Sequence, residues 1–187
     1  VTRILAVADT TETWTDETIH AARSADVILA LGDLYSVDLK RLQVGTPMLG
    51  VYGNHCSRGY LEALGVCELS TSDNPVAVSR LNNGVTILGV SGCVRYNRAA
   101  DHQWTQEEYR EALRGAPRCD WVVTHCPPRG VNDHDDLAHN GIDALRDYVD
   151  DHAPLHLFHG HTYPEVPVTQ VGDTKIHYVH GWAELDV

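Results

Sequence analysis

The sequence predicts a layered α/β fold on three observations. Short apolar runs alternate with helix-patterned segments, each run ends at a polar residue with useful chemistry, and two regions read as antiparallel hairpins. Residues 4–8 form the first run and stop at Asp9, and residues 27–31 stop at Gly32-Asp33. Residues 48–52 stop at Gly53-Asn54-His55, 121–124 at His125, and 155–158 at His159-Gly160-His161. Runs of four to five apolar residues are too short for helices and read as buried strands. Between them, residues 15–24, 57–64, 105–114 and 141–151 carry helical patterning. Thr105-Gln106-Glu107-Glu108 is a capping box, and Leu61 and Leu64 supply an inner face. Residues 76–80 with 85–90, and 166–171 with 176–179 around Gly172-Asp173, read as hairpins that build a second sheet packed on the first. Neither a repeat nor a linker divides the 187 residues, so residues 1–187 form one domain.

Composition narrows the function. The formal net charge of −12 argues against broad binding to nucleic-acid polymers or anionic membranes, both of which need a basic face. Five cysteines, odd in number and never spaced C-x-x-C, predict neither a disulfide framework nor a zinc knuckle. With no leader pattern before the first strand and no apolar run near the ~20 residues of a membrane span, the expectation is a reduced, cytoplasmic protein. Histidine is abundant, with 12 copies beside many aspartates, which directs attention to metal-ligand spacing.

In an α/β sheet, ligands bind beyond the carboxyl ends of the strands, and here the polar clusters fall at five such ends. Asp9, Gly32-Asp33, Gly53-Asn54-His55, Thr124-His125 and Gly160-His161-Thr162 follow one another in the order D, G-D, G-N-H, lone H, G-H. This order resembles the calcineurin-like metallophosphoesterase signature, D-x-H, G-D, G-N-H, H, G-H-x-H. The stretches from Gly89 to Tyr96, from His102 to Thr105 and from His125 to Gly130 are similar to a bacterial branch of that family. The resemblance implies a four-layer α/β/β/α sandwich: two packed mixed β-sheets flanked by helices, with a metal centre between them. It also implies that Asp33, Asn54, His125 and His161 complete one metal site, which Asp9 and Asp33 extend toward a second. His55 becomes the non-ligand histidine that protonates the leaving group. Independently, a bridging carboxylate such as Asp33 suits a pair of cations about 3.5–4 Å apart. Mixed carboxylate, amide and imidazole donors favour Mn²⁺, Fe or Zn²⁺.

Three departures from the signature stand out. Thr11 occupies the histidine of D-x-H, Tyr163 occupies the last histidine of G-H-x-H, and Cys56 replaces the acid that often follows G-N-H. Both missing imidazoles belong to the same metal site, so one tight site and one weak or absent site are expected. The phenol of Tyr163 is expected to pack rather than to ligate, because it ionises reluctantly.

Among the remaining histidines, His159 reads as a core residue, while His102, His152 and His156 read as surface or hydrogen-bonded residues. His134 belongs to a solvated acidic loop. The resemblance assigns His139 to substrate binding, since similar family members carry a histidine there above the active site. His177 and His180, three apart on a strand, cannot both point inward. Tyr35 follows Asp33 by two residues and is not read as a ligand. Of Arg58, Arg95 and Arg129, Arg95 is the candidate to hold phosphate and stabilise developing charge. The reading is a metal-dependent phosphoesterase that hydrolyses a small phosphomonoester or phosphodiester by metal-activated water. Its rival is a catalytically weak phosphate- or nucleotide-binding protein on a decayed scaffold of the same kind.

Overall fold

The structure is a computed structural model that describes residues 1–10, 14–71, 73–98 and 101–187. Thr11 lies outside the described residues. The first sheet contains β1 (Arg3–Ala8), β2 (Val27–Ala30), β3 (Met48–Gly50), β4 (Cys67–Glu68) and β13 (Gly181–Asp186), in the order β13-β1-β2-β3-β4. β1 to β4 run parallel, and β13 pairs antiparallel to β1. The second sheet runs β11 (Val168–Val171), β12 (Thr174–Tyr178), β10 (His156–His159), β9 (Trp121–Thr124), β6 (Thr86–Val90), β5 (Val76–Arg80). Its four central strands are parallel and its two edges are the antiparallel hairpins expected from sequence. A small pair, β7 (Cys93–Val94) with β8 (Gln103–Trp104), lies beside these sheets.

Side-chain alternation along the strands makes the layers. Ile4, Ala6, Val27 and Leu29 face inward from the first sheet and meet Ile87, Val123 and Phe158 from the second. Leu5, Val7 and Ile28 face outward onto α1 (Asp16–Ser24), α2 (Ser36–Arg41) and α3 (Tyr60–Ala63). Leu88, Val122, Leu157 and Ile176 face the other way, onto α4 (Gln106–Leu113) and α5 (Asp143–His152). The result is the expected four-layer α/β/β/α sandwich. Both faces of each sheet are covered, which is why the parallel strands read as continuous apolar runs.

Helix starts follow local chemistry. Thr105 caps α4 by accepting from the Glu108 N–H at 3.2 Å, and the Glu108 carboxylate accepts from the Thr105 N–H at 2.6 Å. Thr15 caps α1 in the same manner through the Thr18 N–H. The helix expected over 57–64 is only the four-residue α3, because Gly59 enters it with φ +70°. Among the described residues no helix is long and apolar enough to cross a membrane, and all five cysteines are free.

Phe158 is fully buried where the two sheets meet, edge-on to Trp121 and stacked on His177. Phe158→Ala should lower unfolding free energy by about 3–5 kcal/mol, read from urea midpoints at unchanged m-value.

Candidate metal centre

The carboxyl ends of β1, β2 and β3 and of β9 and β10 converge, and all five expected ligands stand there. Asp9, Asp33 and His125 each place one ligand atom within 4.8 Å of the others. The backbone at these positions is unusual. Asp9 (φ 48°), Asp33 (φ 51°) and His161 (φ 69°) adopt left-handed conformations that non-glycine residues seldom take. Each residue thereby turns off its strand into the gap between the sheets.

Two of the motif glycines have a direct steric reason. A Cβ at Gly53 would lie 2.1 Å from Asp33 Oδ1, and one at Gly160 would lie 2.3 Å from Asp9 Oδ2. Each carboxylate rests on a glycine and accepts a nearby backbone N–H. Asp33 Oδ1 accepts from His55 at 2.8 Å, and Asp9 Oδ2 accepts from His161 at 2.7 Å.

His125 is buried between the two acids. Its Nδ1 donates to the Leu31 carbonyl at 2.8 Å, and its Nε2 faces Asn54 Oδ1 at 3.0 Å and Asp33 Oδ2 at 3.4 Å. Burial alone would lower this imidazole. The charge and hydrogen bond of Asp33, followed by the charge of Asp9, outweigh burial and lift it to about 9. Burial likewise opposes ionisation of Asp33, but His125 and the His55 N–H overcome it and hold the carboxyl well below its usual range. Asp9 keeps the opposite sign: burial raises it more than His125 and the His161 N–H lower it. Without a cation, the His125 proton therefore occupies the position where Nε2, Asp33 and Asn54 converge.

His161 is neutral, held down to about 3 by burial and then by the charge of His125. Its Nε2 donates to the Ala138 carbonyl at 2.8 Å, which leaves Nδ1 without a proton. The His161 ring centre lies 4.8 Å from that of His125 and 5.3 Å from that of His139. His139 is half-buried, with Nδ1 on Asp136 at 2.9 Å. His55 is exposed and lines a cleft of about 270 Å³ together with Asp9, Asp33, Leu34, Tyr35 and Tyr163. Tyr163, expected to pack, is instead 61% exposed on the cleft wall, because its loop carries it outward to sit edge-on to His180 at 5.4 Å. Burial and the two aspartates raise its phenol, so it is protonated at neutral pH.

Arg95 does not line this cleft. Its Nε and Nη2 donate to the Gln103 carbonyl at 3.2 and 3.0 Å, and Nη2 pairs with Glu108 at 3.0 Å, joining β8 to the start of α4. Arg58 pairs with Asp101, and Arg129 pairs with Asp133.

His102 differs from its sequence reading. It is 4% exposed, stacked on Tyr52 at 4.2 Å, and neither ring nitrogen has a hydrogen-bond partner among the described residues. His159 is buried as expected, and of the pair His177 and His180 only His177 is buried.

Sequence reasoning missed two contributors to the site. The Cys56 sulfur accepts from the Gly53 N–H at 3.1 Å and the Asp33 N–H at 3.3 Å. Burial and then the Asp33 charge push its thiol up to about 11, so it stays neutral beside Asp33. The Tyr96 hydroxyl accepts from Asn54 Nδ2 at 3.1 Å, which fixes Asn54 Oδ1 toward His125. Tyr96 closes the stretch from Gly89 in which only Arg95 drew attention, so a signal for it was available.

Solved structures share this fold. One superposes with a TM-score of 0.72 at 12% identity, covering 98% of this chain and 94% of its own. TT1561 of Thermus thermophilus gives 0.64 at 15% identity, covering 97% and 90%. GAP50, the anchor in the inner membrane complex of Plasmodium, gives 0.53 at 13% identity, covering 96% and 71%. No protein-family model and no curated protein sequence matches the chain. The likeness therefore extends to the fold, and chemistry must be argued from the site.

The geometry predicts two outcomes. A cation must displace the His125 proton, so apparent affinity for a divalent ion should rise from pH 7 toward 9, by up to about tenfold per unit, and then level off. Calorimetry in buffers of different ionisation enthalpy counts the released proton. Gly53→Ala should displace the Asp33 carboxylate and weaken metal binding at least about tenfold in calorimetry; because the added Cβ would also lie 2.6 Å from the Asp33 backbone nitrogen, the urea midpoint should fall with it.

Proposed function

We propose that the chain is a metal-dependent phosphoesterase of the calcineurin-like metallophosphoesterase type, acting on a small phosphomonoester or phosphodiester. The observation that carries this reading is the convergence of Asp9, Asp33 and His125 at the carboxyl ends of strands from both sheets. The donors suit a cation: two carboxylates, a buried imidazole with only acceptors facing Nε2, an amide oxygen, and an imidazole left with a bare Nδ1. Asp33, Asn54, His125 and His161 would hold the tight ion, as Mn²⁺, Fe or Zn²⁺, with Asp9 extending the site. A divalent ion there supplies Lewis-acid charge and lowers the pKa of water.

The chain's own residues do the rest. Asp33 would be the carboxylate common to both cation positions, with its backbone N–H held by the Cys56 sulfur and its Oδ1 by the His55 N–H. Asn54 is oriented by Tyr96, and His125 by the Leu31 carbonyl. His55, at the cleft mouth, gives its proton to the leaving-group oxygen, a role that contributes ~10²–10⁴-fold. His139, whose ring centre lies 5.3 Å from that of His161, is outside the residues that line the cleft and has its Nδ1 on Asp136, so this reading gives it no direct contact with the substrate. Arg95 carries no role in this reading, because its guanidinium is committed to Gln103 and Glu108.

One observation favours a second reading, binding without useful turnover. Tyr163 presents a neutral phenol where the signature has an imidazole, which leaves the second cation site short of donors.

A single set of variants tests both readings. Asp33→Asn and His125→Ala should remove bound metal and turnover of bis(p-nitrophenyl) phosphate together. His55→Ala should keep the metal and lower kcat, more for alkyl than for nitrophenyl leaving groups. Metal binding without metal-dependent turnover in the parent protein would establish the binding-only reading.

A further inference from the structure

The cleft over Asp9 and Asp33 is cation-poor and aromatic. Tyr35 and Tyr163, 58% and 61% exposed, line it from loops that follow strands of different sheets, β2 and β10. Two large rings left to water on the walls of one concave polar site offer faces on which a flat apolar group can stack. The Tyr35 backbone and the Tyr163 ring each have a support. Tyr35 is the N-cap residue of α2, with its carbonyl accepting from the Leu39 N–H at 3.0 Å, and Tyr163 is braced edge-on by His180. Among the described residues, no Arg or Lys lines the cleft, while two carboxylates do. One divalent cation would be formally cancelled by Asp9 and Asp33. That leaves the proton that His55 carries as the general acid as the one surplus positive charge, which matches a monoanionic diester and falls short of a dianionic phosphomonoester, and the whole chain carries −12. A monoanionic diester meets less repulsion.

We propose that the substrate is a small phosphodiester bearing an aromatic or heteroaromatic ring, with the ring stacked against Tyr35 and Tyr163; this rests on the phosphoesterase reading. In the hydrolysis, water's oxygen joins phosphorus and the P–O bond to the leaving alcohol breaks. The alcohol takes its proton from His55, which is reprotonated from the water, and the remaining proton goes to solvent. The product is the ring-bearing monoester, whose second negative charge favours its release from a cation-poor cleft. A volume of about 270 Å³ lies just below the ~300–1,000 Å³ of usual ligand sites, which restricts the cleft to a compact ester.

The test uses three probes on the metal-loaded and metal-free protein: diphenyl phosphate, dimethyl phosphate and phenyl phosphate, with affinities read by calorimetric competition at pH 8. Diphenyl phosphate should bind about tenfold or more tighter than dimethyl phosphate, which carries the same charge, and also tighter than dianionic phenyl phosphate. The ring advantage should shrink to about twofold or less in Tyr35→Ala/Tyr163→Ala and persist in Tyr35→Phe/Tyr163→Phe. Equal binding of the two diesters, an advantage that survives in the double Ala variant, or tighter binding of phenyl phosphate overturns the proposal. Hydrolysis of bis(p-nitrophenyl) phosphate, followed in parallel, separates the two ideas. Turnover without ring dependence overturns this inference alone. Ring dependence without turnover overturns the phosphoesterase reading and supports the ring site by itself.

Discussion

Two backbone hydrogen bonds to carboxylates govern the architecture at the strand ends: His161 N–H to Asp9, and His55 N–H to Asp33. Burying two acids within 4.8 Å of one imidazole is costly unless every charge meets a donor. Besides His125, the donors that meet these carboxylates are backbone amides, and amides can reach them only if the chain turns sharply off the strand and no Cβ intervenes. Glycine at 53 and 160 and positive φ at Asp9, Asp33 and His161 follow from that requirement. The Asp9–His161 bond also joins the two sheets, so it depends on their spacing. The buried contacts of Ile4 and Leu29 with Val123 and Phe158 set that spacing.

What could be read from sequence was whatever is encoded locally. An apolar run ending in a polar residue needs only its own neighbours to be recognised, and the five such ends proved to be the converging ones. The capping box at Thr105 and the two hairpins are local in the same sense. Partnerships across the chain were not legible. β13 pairs with β1 from the opposite end of the sequence, and α2 is too short, at six residues, to show a period. Arg95 looked available because its partners, Gln103 and Glu108, reach it only after β7 and β8 pair. His102 looked polar, but its backbone carbonyl anchors Cys93 at 3.2 Å and draws the ring onto Tyr52.

The departures from the signature act through charge more than through shape. A carboxylate at position 56 would add a third buried negative charge beside Asp33, whereas the Cys56 thiol, raised to about 11, adds none and still receives two backbone amides. At position 163 an imidazole would offer a lone pair, whereas the protonated phenol offers a ring face and a weak oxygen. Both changes leave Asp9 and Asp33 as the negative charges of the cleft, balanced in the metal-free chain by His125 alone. A +1 imidazolium against two acids leaves a deficit, consistent with Asp9 being the carboxyl whose burial outweighs its stabilisation. One divalent ion in place of that proton removes the deficit, while a second would create an excess with few donors to hold it. In the proposed reading, the chain has exchanged the donors of a second cation for an aromatic rim, and charge neutrality around a single ion makes that exchange self-consistent.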